Sequence, residues 1–124
     1  MNKKKVLCFG ETLWDVFPDE KKPGGAPANV AVHLRNFGLE PKLISRIGKD
    51  ELGNNLLKFL REKGLDTSFI QVDEKYPTGV VNVQIADTGD ARYDIVYPSA
   101  WDYIDFPAKV IDPDDEQNPY RTAP

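Results

Sequence analysis

This sequence predicts an α/β fold, a parallel sheet with flanking helices, on three observations. Val6-Leu7-Cys8-Phe9-Gly10 is a short continuous apolar run, as a parallel strand buried on both faces requires. Helical and strand-like patterns then alternate, and such alternation builds a right-handed parallel layer. Beyond Val80 the period changes to two, which adds a small β-sheet to the α/β layer.

Each element has its own signal. After the first strand, Glu11 to Phe17 mixes polar and aromatic residues, and Pro18 with Asp19-Glu20-Lys21-Lys22-Pro23 predicts an exposed turn. Ala28 to Phe37 is expected as a helix with Val30, Leu34 and Phe37 on one face, closed by Gly38. Pro41 precedes a second strand, Leu43-Ile44-Ser45-Arg46-Ile47. Asp50 is placed to cap the next helix, whose apolar face is Leu52, Leu56, Phe59 and Leu60, and Gly64 stops it. Val80 to Ala86 and Ala91 to Tyr97 read as two strands joined by the turn Asp87-Thr88-Gly89-Asp90. Val81, Val83 and Ile85 form the apolar side of the first of these strands. From Asp112 the chain is acidic and proline-punctuated with no periodicity, and residues 112–124 read as a mobile tail.

Composition narrows the function. At 124 residues the chain makes one domain at most, burying roughly two-thirds of the surface its unfolded form exposes. It is 40% hydrophobic and 29% charged, within the ordinary globular range. Its net charge of −4 and pI near 5.0 argue against nucleic-acid or membrane partners, since no basic stripe follows Lys3-Lys4-Lys5. The apolar run after those lysines is too short for a signal peptide or a membrane span, so a cytoplasmic chain is expected. Cys8, the single cysteine, excludes an internal disulfide and reads as a small core residue. The lone histidine, His33, reads as structural, and no His, Cys and carboxylate cluster has metal-ligand spacing.

The densest signal is Gly24-Gly25-Ala26-Pro27-Ala28-Asn29-Val30-Ala31, with Gly38 and Gly48 following. Paired glycines let backbone approach a ligand closely, and Pro27 suits the first turn of a helix. The free N–H groups of that turn point into the loop, and Asn29 adds a donor and an acceptor. This spacing resembles the N-terminal signature of the ribokinase (PfkB-type) carbohydrate kinases, and "GGAPANVAVHL" looks most like their fructokinase branch. The resemblance covers about Val6 to Ile111 and implies the N-terminal part of a Rossmann-like ribokinase fold. Its small β-sheet lid would use strands at about 14–18 and 79–98, and residues 1–111 would be the sugar-binding part.

Asp15 follows the first strand, where ligands bind in open α/β sheets. Alone it reads as a turn former; with the resemblance it becomes a carboxylate that accepts hydrogen bonds from two neighbouring sugar hydroxyls. The resemblance implies Asp15, Gly24, Gly25 and Asn29 as sugar-binding residues. Tyr97, Trp101 and Tyr93 are candidates to face the sugar ring, against the commoner reading of aromatics as core. Asp50, in Gly48-Lys49-Asp50-Glu51-Leu52-Gly53, reads first as a helix cap. Thr78-Gly79 is a weaker point of likeness.

Phosphoryl transfer needs a base, a triphosphate cradle and a magnesium site. The sequence has neither a phosphate loop of the form G-x-x-x-x-G-K-[ST] nor a G-x-G-x-x-G turn. The family's catalytic aspartate, on a Gly-Ala-Gly-Asp-type turn, has no match here either, so no residue is assigned to catalysis. The resemblance implies ATP and magnesium for the intact kinase, none of it bound by this chain alone, and a hexose, fructose first, as the small-molecule partner. Two other readings remain: a non-catalytic carbohydrate-binding or assembly module, and an anion cradle at Pro27, which lacks a lysine or arginine. A dimer or larger assembly through the lid or a sheet edge is expected.

Overall fold

A computed structural model describes residues 4–105. Strands β1 (Lys5–Phe9), β2 (Leu13–Val16) and β3 (Lys21–Gly24) precede helix α1 (Ala26–Asn36). Strand β4 (Glu40–Gly48), helix α2 (Glu51–Glu62) and strand β5 (Ile70–Asp73) follow. Strands β6 (Gly79–Ile85) and β7 (Ala91–Ile95) and a 3-10 turn, Ala100–Tyr103, complete the described part.

Two sheets share these strands. The first is parallel, in the order β1-β4-β5, with Cys8 opposite Leu43 and Ser45 opposite Ile70. Cys8, Leu43 and Ile47 meet Ala28 and Ala31 of α1 and Leu56 and Leu60 of α2 in one buried cluster. Burial pushes the Cys8 thiol pKa up, as a core cysteine requires. Helix α2 follows its sequence signals: Asp50 accepts from the Gly53 amide at 2.8 Å, and Leu56 and Leu60 are buried. Helix α1 ends in a Schellman arrangement around Gly38, in which the Leu39 amide donates to the Leu34 carbonyl at 3.1 Å.

The face of α1 differs from the expected one. Val30 is 50% exposed and Phe37 81%, and only Leu34 of the expected stripe reaches the core. The helix begins at Ala26, and it turns Ala28 and Ala31 toward the core, small residues that let helix and sheet close together.

The second sheet is mixed, in the order β3-β2-β6-β7. Strand β3 occupies the second half of the stretch expected as an exposed turn; Lys-Lys-Pro carries no strand signal, and antiparallel pairing with β2 imposes the extended form. The apolar side of β6 is also shorter than expected. Val81 and Val83 are buried with Leu13 against Phe17, whereas Ile85 is exposed because β2 ends at Val16, opposite Asn82. Strand β5 and the 3-10 turn add to the elements expected from the sequence. Trp14 joins the two layers: buried beside the helices, it donates Nε1–H to the Leu52 carbonyl at 2.8 Å.

Among the described residues no helix is long and apolar enough to cross a membrane. Residues 112–124, expected as a tail, lie outside the described part.

Candidate functional site

The chain leaves β1 through Gly10-Glu11-Thr12 and enters β2, which places Asp15 beyond the end of the parallel strand. Asp15 pairs with Lys22 of β3 on one side and with Val81 of β6 on the other. Two residues back, Leu13 stands between Gly24 and Gly79. Residues directly opposite share a sheet face, so Asp15, Gly24 and Gly79 look out on the same side.

Gly24 and Gly25 are held by contact as well as by conformation. A Cβ on Gly24 would run into the Asp15 carboxylate and the Leu13 side chain. Gly25 has φ +101°, where other residues are strained, and a Cβ there would meet the Glu11 carbonyl. Gly25 also precedes α1 without a side-chain cap, which leaves first-turn amides of the helix unspent. Asn29 lies one turn in and is exposed, its amide bonded to the Gly25 carbonyl at 3.0 Å.

The Asp15 carboxylate is half-buried, and among the described residues it has no hydrogen bond or ion pair. Burial alone pushes its pKa up. A carboxylate withdrawn from water without a partner is set for a ligand that can donate to it.

Trp101 reaches the same face. Its indole covers Gly79 so closely that a Cβ there would lie 2.6 Å from Trp101 Cδ1 and 3.1 Å from Leu13 Cβ. Asp15, Gly24, Gly79 and Trp101 are therefore connected through Leu13. Tyr97 is placed differently: it is exposed. The Tyr103 ring stacks on Tyr76 with centroids 4.1 Å apart, and the bond to Tyr76 chiefly pushes the Tyr103 pKa up. Tyr93, opposite Val83, is exposed on the Asp15 face farther along the hairpin.

Asp50 is more than the helix cap the sequence indicates. Its carboxylate also accepts from the Thr78 amide at 2.9 Å and the Thr78 hydroxyl at 2.6 Å. Nothing in the sequence signals this link, which spans 28 residues. Among the described residues no group of three His, Cys, Asp or Glu is arranged to hold a metal ion.

Residues 2–114 match the model of the pfkB family carbohydrate kinases. The chain belongs to that family. A fructokinase of Escherichia coli is 34% identical over 102 residues, 77% of this chain and 33% of that protein. The structure of the uncharacterized sugar kinase PH1459 of Pyrococcus horikoshii overlays 77% of this chain and 36% of that one, with TM-score 0.71 and 35% identity. Fructokinase from Vibrio cholerae O395, without ligand, overlays 84% of this chain and 38% of that one, with TM-score 0.77 and 28% identity. The same two proteins have also been crystallised, PH1459 with ATP and the Vibrio enzyme with fructose, ADP and calcium ion. The fold is thus ribokinase-like, and the chain spans about a third of the length of the relatives it matches.

Proposed function

We propose that this chain is the sugar-binding part of a fructokinase-like carbohydrate kinase. The mixed sheet is its lid. The carboxylate of Asp15 accepts hydrogen bonds from two neighbouring hydroxyls of a hexose, fructose first. The backbone at Gly24 and Gly25, bare of side chains, lets the sugar approach the first turn of α1, where Asn29 offers its side-chain amide. Trp101 supplies a flat apolar wall beside Gly79, with its indole N–H as a further donor. Tyr97, exposed beyond the hairpin, closes the site's rim on the lid side.

The single observation that carries this reading is the partnerless, half-buried Asp15 carboxylate packed against Gly24. A structural aspartate at a strand end would be bonded to turn amides, as Asp73 is to the amides of Lys75 and Tyr76 at 2.8 Å.

ATP and magnesium belong to the intact enzyme in this reading. Among the described residues no group of three His, Cys, Asp or Glu is arranged to hold an ion, and the sequence has no phosphate loop of the form G-x-x-x-x-G-K-[ST]. No transfer step is assigned to this chain. Its residues bind and orient the sugar, and the primary hydroxyl is phosphorylated by groups that the intact kinase supplies.

Assembly through the lid is part of the proposal. Ile85, Tyr93 and Ile95 are exposed on the Asp15 face of the hairpin, and β7 is the outer strand of its sheet. A second copy covering that face would bury these side chains. The functional test is calorimetric titration of fructose into the chain and into Asp15→Asn. Binding by the parent that is lost in the variant supports the reading, and equal binding by both removes Asp15 from the site.

A further inference from the structure

The first turn of α2 holds both central strands of the mixed sheet, by two different means. Trp14 of β2 inserts its indole beside the helix and donates to the Leu52 carbonyl at 2.8 Å. Thr78, the residue before β6, is bound to Asp50 through its amide at 2.9 Å and its hydroxyl at 2.6 Å. The same hydroxyl accepts from the Gly48 amide at 2.9 Å, at the end of β4. Asp50 meanwhile caps α2 through the Gly53 amide at 2.8 Å.

The packing leaves this junction no slack. A Cβ on Gly48 would lie 2.5 Å from the Thr78 amide nitrogen and 2.6 Å from Asp50 Oδ2, and one on Gly53 would lie 2.8 Å from the Thr78 hydroxyl. Thr78 is itself buried. One buried hydroxyl and one carboxylate thus tie the end of β4, the start of α2 and the root of β6 together. A simple N-cap would not need the Thr78 half of this network.

We infer that Asp50 and Thr78 form a latch that fixes the root of the lid strand β6 to α2, so that Asp50 is a positioning residue for the sugar site. Gly79 is the next residue after Thr78, and it carries Trp101 above it and Leu13 beside it. Leu13 in turn is paired with Gly24. A shift at Thr78 therefore moves the wall and floor of the site together, whereas Asp15 keeps its own chemistry. This inference rests on the sugar-binding reading above for its functional consequence, and on the bonds alone for the latch.

Amide hydrogen exchange with fructose titration on the 124-residue chain tests it. In the parent, the Thr78 and Gly53 amides should be protected to the level of the β4 amides; fast exchange at Thr78 overturns the latch without any variant. Asp50→Asn and Thr78→Val should each speed exchange in β6 by about tenfold or more while β1 and β4 keep their protection. Both should weaken fructose about tenfold, in line with the loss of one positioning contact. Thr78→Ser, which keeps the hydroxyl, should restore both properties. Asp66→Asn removes the Lys42 ion pair at 2.6 Å, away from the lid, and serves as the control for general destabilisation. If Asp66→Asn speeds β6 exchange as much as Asp50→Asn does, or if Thr78→Ser fails to restore it, the latch is wrong. Should the parent bind no fructose while the β6 effects appear as stated, the latch stands and the sugar-binding reading falls.

Discussion

The Asp15 carboxylate lies against the bare Cα of Gly24, diagonally across the β2–β3 pair, in space that any side chain at Gly24 would fill. The relationship joins two residues of one proposed site by exclusion: the glycine keeps the carboxylate unencumbered, and nothing among the described residues neutralises it.

Gly24→Ala should therefore injure the site and the fold together. Inserting a methyl group between Asp15 and Leu13 is an overpacking change, worth about 1–3 kcal/mol of stability. Urea denaturation gives the stability loss, and fructose titration at a temperature where the variant is folded gives the loss of binding. A neutral Gly24→Ala on both counts contradicts the contact.

Asp15→Asn should behave in the opposite sense on stability. Burial raises the folded-state pKa of Asp15, so the folded chain binds its proton more tightly than the unfolded chain does. Stability from this group falls as pH rises above the unfolded value, and at pH 7 the charge works against the fold. The asparagine variant should melt higher than the parent at pH 7 and lose that advantage in acid. A lower melting temperature at pH 7 refutes an uncompensated carboxylate.

Asp66 has the reverse linkage. The hydrogen bond from Lys42 chiefly holds its pKa at about 2, below the ordinary aspartate value of 3.8. Its contribution is complete above about pH 4 and is lost as pH falls toward 2, so Asp66→Asn should flatten that part of the acid-unfolding curve. An acid limb identical to the parent's would show that the pair does not form in solution.

Much of the architecture was legible because it is local. The α2 cap needs only Asp50 and Gly53, three residues apart, and the Leu56–Leu60 stripe follows from helical period. What escaped was set by distant partners. Lys21-Lys22-Pro23 is extended because β2 runs beside it, and the exposure of Val30 and Phe37 reflects which side of α1 the alanines turn to the core. At the site, Asp15 and the glycine pair came from a motif, and the structure adds that Asp15 and Gly24 touch. Trp101, a candidate as an aromatic of the lid, lies against Gly79, and Tyr97 is exposed. Thr78 stood out only as a weak point of likeness, and its bond to Asp50, 28 residues away, has no local signal.

Assembly makes a separate prediction. Val83 is buried within its own sheet, so a lysine there would test folding and not association. Ile95 is 60% exposed on the hairpin, and Ile95→Lys should convert a lid-mediated dimer to a folded monomer in light scattering. A parent that is monomeric at micromolar concentration removes the lid-mediated assembly.

The most direct measurement of the sugar-binding account is a fructose titration of the parent chain and Asp15→Asn by calorimetry, side by side. The account predicts saturable binding to the parent and a loss of about ten- to a hundredfold in the variant, the worth of a charge-assisted acceptor at roughly 1.5–3 kcal/mol. Identical isotherms for the two proteins would contradict it.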